Sequence, residues 1–295
     1  MPYAWPSMPR YFRKWLAVLA LCAGVVQSAS AEQSLRLMTY NIRLDIAFDG
    51  ANAWPHRRQW VADQVRWLRP DIFGMQEVVP GQKADLIADL PRYRFFGEGR
   101  DAKGAGESSP IAFDRRRFTF VEGGTFWLSP TPDVSSKGWD AANPRIVTWV
   151  RLKFSGARQR VLAINTHWDH IGIEARRESA KQMRAWIAKN VRRCEPLVVF
   201  GDFNSELGSE QMKTLMQGEV TLRDARALSK SPPFGPVGTF NAFNPAPTEA
   251  KAIDHVLLRE GIEVERYAVF AQVIEGRVPS DHYPVLVDLR LADCR

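Results

Sequence analysis

Residues 161–172, VLAINTHWDHIG, bring His167, Asp169 and His170 together after an apolar run. All three are side chains that bind metals or move protons, and this spacing invites comparison with one half of a zinc site. The other half is missing. The chain has five histidines and three cysteines in all, and no cysteine lies near His56, His167, His170, His255 or His282, so a zinc cage lacks ligands. Other chemistry-bearing residues recur in the same kind of place, where an apolar run meets a loop. Asn41 stands in MTYNI, Glu77 in GMQEV, Asp202 and Asn204 in LVVFGDFN, Asp254 and His255 in IDHVLL, and Asp281 and His282 in SDHYPVL. Singly each has an ordinary explanation: Asn and Asp favour turns and caps, and Gly201 and Asn204 tolerate positive φ. Together, acids, amides and histidines at so many strand mouths point to one polar site on one rim.

The elements that must position them follow from periodicity. SLRLMTYNIRL (34–44) is β-rich, and RRQWVADQVRWLRP (57–70) carries Val61, Val65 and Leu68 at helical spacing before Pro70 stops it. DIFGMQEV (71–78) is a buried-type strand and QKADLIADL a short helix. PIAFD and FTFVEGGTFWLS are extended runs between Gly-, Ser- and Pro-rich loops, and RIVTWVRLKF and RQRVLAIN are adjacent strands joined at SGA. A long amphipathic helix is expected over 173–193, followed by the strands LVVFGDF, IDHVLLR, VERYAVFAQV and HYPVLVDLRL. Strands outnumber helices and hairpin-like pairs dominate, which favours two packed sheets with helices outside them. With no repeat and no low-complexity linker, one domain is expected.

The series MTYNI, QE, NTH, GDFN, IDH and SDH, in this order over about residues 35–291, resembles the endonuclease/exonuclease/phosphatase superfamily. The resemblance implies an α/β fold, a four-layer α/β/β/α sandwich of two mixed sheets flanked by helices. It also implies hydrolysis of a phosphodiester or phosphomonoester by metal-assisted in-line attack of water. On that resemblance Glu77, Asn41 and Asp281 form the metal site, Asn41 holding the Glu77 carboxylate or a water. An oxygen-rich donor set suits Mg²⁺, or Mn²⁺, better than Zn²⁺. Asp202 is the residue that orients and deprotonates the attacking water, with Asn204 steadying the phosphate. His282 contacts a phosphoryl oxygen or acts as the base itself, Asp254 fixes its tautomer, and His167 is a second phosphate-contacting histidine. Asn165, Arg145, Asp169 and His170 are carried as substrate-binding candidates, Arg145 for its phosphate-clamping geometry.

Substrate choice falls to surface loops, here 45–58, 99–110, 129–145 and 234–245, where Trp54, His56, Trp139 and Phe243 could stack on a substrate or pin the loops. A phosphorylated substrate of unknown identity is the expected partner. Nucleic acid is the alternative, with a lipid phosphodiesterase or a non-catalytic binding protein behind it. The net charge of +7 falls when Arg10, Arg13 and Lys14 leave with the leader, and the mild remainder argues against tight duplex binding. That leader is the basic stretch, the apolar run WLAVLALCAGVV and the small residues Ala29-Ser30-Ala31, a signal peptide over 1–31 expected to be cut after Ala31. Residues 32–295 are then a single exported domain, periplasmic or secreted, expected to be monomeric without stable membrane insertion. Cys194 and Cys294 are expected to be a disulfide or two inert thiols.

Overall fold

The structure, a computed structural model, describes residues 1–3, 33–247 and 251–292. The cleavage point after Ala31, Cys22 and Cys294 lie outside the described residues; Cys194 is exposed.

Two six-stranded sheets carry the described chain. The first takes β1 (Gln33–Asn41), β2 (Ile72–Gln76), β3 (Tyr93–Phe96), β4 (Ile111–Asp114), β11 (Ile262–Val269) and β12 (Val285–Leu291) in the order β11-β12-β1-β2-β4-β3. The second takes β5 (Phe118–Trp127), β6 (Ile146–Phe154), β7 (Arg160–His167), β8 (Leu197–Asp202), β9 (Leu222–Asp224) and β10 (Asp254–Arg259) in the order β5-β6-β7-β8-β10-β9. Each sheet is mixed, with one parallel pair, β1 with β2 and β7 with β8. Helices α1 (Trp54–Leu68) and α2 (Pro80–Asp89) accompany the first sheet; α3 (Ile173–Asn190) and α4 (Glu210–Met216) accompany the second, and a short α5 (Ala225–Leu228) follows β9. This is the expected four-layer sandwich.

Three apolar cores separate the four layers, and strand alternation decides which residue enters which. Leu35 and Leu37 of β1, Val161 and Ala163 of β7, Val198 and Phe200 of β8, and Val256 of β10 pack between the sheets. The intervening Met38 and Tyr40 turn outward onto Val61 and Val65 of α1. Leu162, Ile164, Leu197 and Val199 turn onto Ala180, Met183 and Ile187 of α3. A period of two side chains per strand repeat requires this division, and each large apolar side chain so removed from water contributes about 1.5–3 kcal/mol. The sheets approach closely at Gly74, where a Cβ would lie 2.3 Å from the Phe200 ring and 2.6 Å from Asn165.

Sequence periodicity locates these elements with shifted ends. Helix α1 begins at Trp54 rather than Arg57, because Pro55 suits a first turn. Helix α3 stops at Asn190. The short elements β3, β9, α4 and α5 carry too few residues to show a period in the sequence.

Candidate active site

Alternation that fills the inter-sheet core also aims the polar residues at its mouth. Asn41 continues the Leu35, Leu37 face of β1, His167 the Val161, Ala163 face of β7, and Asp202 the Val198, Phe200 face of β8. Asp254 opens the Val256, Leu258 face of β10. Register then sets them side by side: His167 is opposite Asp202 across the β7–β8 pair and Asp254 opposite Asp202 across β8–β10. Gly201 holds φ of 145° there, and a Cβ would lie 2.0 Å from the Thr166 carbonyl oxygen, so the strand can approach its neighbour closely only with glycine. Glu77 follows β2 directly, one residue past Gln76, which pairs with Asn41. Asp281 and His282 arrive from the segment before β12, held by the Asn241 and Ala242 amides donating to the Asp281 carbonyl.

Asn41 joins the two halves of the site. Its Nδ2 donates to Glu77 Oε1 and to Asp202 Oδ2, both at 3.0 Å, while its Oδ1 accepts from the Arg43 amide at 3.0 Å and so fixes the orientation. Of the two roles expected for Asn41, this geometry matches the one that holds the carboxylate. His282 Nδ1 lies 2.8 Å from Asp254 Oδ2, which also accepts from Thr239 Oγ1 at 2.6 Å. His282 Nε2 and His167 Nε2 then face Asp202 Oδ2 from two sides, at 3.7 and 3.5 Å. Asn204 caps the turn, its amide donating to Asp202 Oδ1 at 2.9 Å and its Nδ2 to the Trp168 carbonyl at 2.9 Å. Three residues here, Arg43, Glu77 and Asn204, hold positive φ without being glycine, a conformation that costs about 1–2 kcal/mol each and concentrates where function requires it.

Burial sets the protonation of this cluster. It pushes the Asp202 carboxyl up to about 7, with Asp254's charge adding and His282 opposing. Burial works against a charged His282, yet Asp254 and Asp202 outweigh it and raise that imidazole well above the ordinary range. His167 moves the other way: burial, then the Arg145 and His282 charges, hold it well below an ordinary histidine. Two histidines on one carboxylate are thus a cationic donor and a neutral one.

Among the described residues, two sets of side chains are placed to hold a cation. Asp202, Asp254 and His282 present ligand atoms within 4.8 Å of one another, but the His282 Nδ1 and Asp254 Oδ2 atoms already bond each other, which suits proton handling. Glu77 and Asp281 are the better fit. Glu77 Oε1 and Oε2 each accept one hydrogen bond, from Asn41 Nδ2 and the Leu44 amide, leaving a lone pair apiece. Asp281 is held above the usual carboxylate range by burial, with the Glu77 charge adding. Two carboxylates whose charges oppose each other, with Arg43 Nη1 4.0 Å from Asp281 Oδ2, offer the oxygen donors that a hard divalent ion takes.

The remaining candidates divide. Asn165 does not reach the cleft: it is fully buried, accepts from Gln76 Nε2 at 2.7 Å and donates to the Met75 and Pro110 carbonyls at 2.9 and 3.0 Å. It ties the two sheets together, which corrects its assignment to substrate. Asp169 is corrected likewise. It is 1% exposed, with Oδ1 accepting from the Ile171 and Gly172 amides and Oδ2 from Arg145 Nε at 3.2 Å. Arg145 Nη2 donates to His170 Nδ1 at 2.9 Å. That bond leaves His170 Nε2 as the protonated nitrogen. Arg145 itself lines the cleft beside Glu77 and His167, so the pair Asp169 and His170 acts by gripping it. Asp169→Asn puts an N–H against that guanidinium. The expected result is a loss of about 2 kcal/mol in stability by urea unfolding and a KM raised about tenfold with less change in kcat.

Several positioning residues escaped sequence reasoning. Arg57 is fully buried and, among the described residues, donates to the carbonyls of Asn52, Ile42, Arg43, Leu44 and Pro279, pinning the loop after Asn41 and the segment before Asp281. It had a signal, four residues before Val61 on the apolar face of α1. Thr239 and Arg43 had none. Of the loop aromatics, Trp54 is buried with its Nε1 donating to Asp85 at 2.8 Å, and Phe243 stacks over Arg57 at 5.6 Å, so both pin loops.

A family model described as endonuclease/exonuclease/phosphatase matches residues 38–282. An endonuclease/exonuclease/phosphatase family protein of Bacteroides thetaiotaomicron is 36% identical with a TM-score of 0.84, the alignment covering 89% of this chain and 99% of that one. A mannosyl-6-phosphatase of the same organism is also 36% identical, TM-score 0.81, over 86% of this chain and 99% of that one. An uncharacterised protein of Acanthamoeba polyphaga mimivirus is 26% identical over 81% of this chain and 93% of its own. At 18% identity and a TM-score of 0.67, the D. rerio TDP2 complexed with single strand DNA product shares the fold. With the match spanning most of its length, this chain belongs to the endonuclease/exonuclease/phosphatase family.

Proposed function

We propose that this protein is an exported, divalent-metal-dependent phosphoesterase that hydrolyses a phosphomonoester of a sugar. The observation that carries the reaction class is Asp202, buried between His167 and His282 and joined through Asn41 to Glu77. Asp202 in its ionised form orients the attacking water and takes its proton. Cationic His282, its Nδ1 held by Asp254, presents Nε2–H to a phosphoryl oxygen, and neutral His167 and Arg145 contact the others. Glu77 and Asp281 would hold Mg²⁺ or Mn²⁺, which supplies charge neutralisation at the ester as the bond to the leaving group breaks. The monoester and the sugar are supported by the mannosyl-6-phosphatase relative. Export is supported by the sequence of residues 10–31 alone; among the described residues no helix is long and apolar enough to cross a membrane.

The test is turnover of hexose 6-phosphates, p-nitrophenyl phosphate, bis-p-nitrophenyl phosphate and single-stranded DNA, with Mg²⁺ or Mn²⁺ and with EDTA. Monoesters are expected to release inorganic phosphate and EDTA to abolish the release. Turnover of the diester or DNA with no monoester cleaved, or activity indifferent to EDTA, overturns the proposal.

A further inference from the structure

One wall of the cleft is unassigned by the chemistry above. Loop 97–108 folds back on itself: Gly99 N donates to the Gly104 carbonyl at 3.2 Å, Asp101 N to Ala105 at 2.9 Å and Arg100 N to Glu107 at 2.9 Å. Gly104 and Gly106 supply the positive φ values the reversal needs, 73° and 71°. The loop is also fastened from outside, because the Arg100 carbonyl accepts from Trp127 Nε1 at 2.6 Å and Ser135 Oγ at 2.9 Å. This folding brings the Arg100 and Glu107 side chains together, Nη2 to Oε1 at 2.6 Å, with 12% and 14% of them exposed. They open into the pocket that Glu77, His167, Arg145 and Ser109 share with the reaction centre.

We propose that this Arg100–Glu107 pair is the leaving-group subsite, and that it recognises a polyhydroxylated group; the inference rests on the phosphomonoesterase reading above. Position is the first argument. A group leaving from a phosphate seated against His167, Arg145 and Glu77 departs past the mouth of the pocket those residues line with Arg100 and Glu107, whose space of about 10 Å³ admits one hydroxyl rather than a whole ring. Chemistry is the second. A hydroxyl both donates and accepts, and adjacent hydroxyls are matched by a carboxylate acceptor beside a guanidinium donor. Arg100 Nε is buried without a partner, so the guanidinium has a donor to give. The lining contains no Phe, Tyr or Trp, the large rings on which nucleobases stack best. It is also too charged for an acyl chain.

Two measurements test this. On the unaltered enzyme, kcat/KM for a hexose 6-phosphate is expected to exceed that for cyclohexyl phosphate, a ring of the same size without hydroxyls, by at least tenfold, as lost hydrogen bonds to charged groups require. In Arg100→Met and Glu107→Gln the ratio of kcat/KM on hexose 6-phosphate to that on p-nitrophenyl phosphate is expected to fall at least tenfold. Equal turnover of the hexose and cyclohexyl esters, or an unchanged ratio in folded variants, overturns the inference. If p-nitrophenyl phosphate is cleaved and no hexose phosphate is, the monoesterase reading stands without its sugar, and this subsite assignment falls. If no monoester is cleaved, both fall.

Discussion

Asp202→Asn is expected to lower kcat by about 10³-fold, roughly 4 kcal/mol of transition-state stabilisation, with a smaller effect on KM. The substitution keeps the volume and the oxygen that accepts from the Asn204 amide, but removes the group that takes the proton from water. It is also expected to leave the protein folded, with two opposing effects on stability without metal: the new Nδ2 meets the Asn41 Nδ2 donor that Asp202 Oδ2 accepts from, a cost of about 1–3 kcal/mol, while a buried charge is removed. Burial raises the Asp202 carboxyl to about 7. A carboxyl raised on folding is ionised at a cost above that value, so a neutral amide removes the cost at pH 8. A cooperative thermal melt of a folded protein, together with the lost turnover, separates a catalytic role from a structural one. The same shift sets the pH profile. The ionised form is the active one, so kcat/KM is expected to rise as pH rises through about 7. Full activity in Asp202→Asn would refute the assignment.

What the sequence made legible follows from periodicity. A two-residue repeat announces both the strand and the face, so an acid or amide that ends an apolar run inherits the direction of that run. Asn41, His167, Asp202 and Asp254 all end or begin inter-sheet faces. The same rule could have placed Asn165, two residues before His167 on the same face, in the core with Gln76. Its place in the NTH motif points instead toward the substrate. Asp169 and His170 lie beyond the strand, where no period operates. Their meaning depends on Arg145, 24 and 25 residues away in sequence, and such a pairing is visible only once the loops are folded. The leaving-group wall is of the same kind. Gly104 and Gly106 mark a turn in the sequence, but that the turn presses Arg100 onto Glu107 is a fact of tertiary structure.

Stability and reactivity meet in the buried scaffold around the cleft. Among the described residues Arg57 makes no hydrogen bond to a carboxylate, and burial lowers its pKa against the pull of Tyr40 and Asp281. Its guanidinium donates to carbonyls of the loop after Asn41 and to that of Pro279, two residues before Asp281. A planar donor with five N–H groups can satisfy several irregular backbone segments together. That permits the strained turns at Arg43 and Glu77 to persist beside each other, and those turns carry the carboxylate that the next experiment removes.

Glu77→Gln is expected to weaken activation by Mn²⁺ or Mg²⁺ by more than about 10²-fold, because the loss of a ligating charge exceeds that of an outer hydrogen-bonding partner. Gln retains one oxygen for Asn41 Nδ2 or the Leu44 amide, so the site keeps its shape while the charge opposite Asp281 is gone. Activity at low metal should collapse and partly return as metal is raised. A Mn²⁺ titration followed by calorimetry reads the same midpoint without turnover. Asp202→Asn supplies the contrast, since it should lose kcat with the metal midpoint nearly unmoved. The comparison also decides between the two candidate cation sets. If Glu77→Gln lowers kcat and leaves the midpoint where it was, while Asp254→Asn shifts it, the ion belongs with Asp202, Asp254 and His282. The His282–Asp254 hydrogen bond of 2.8 Å argues for the opposite result: breaking it to free both ligands would expose a buried imidazolium to Asp202 alone.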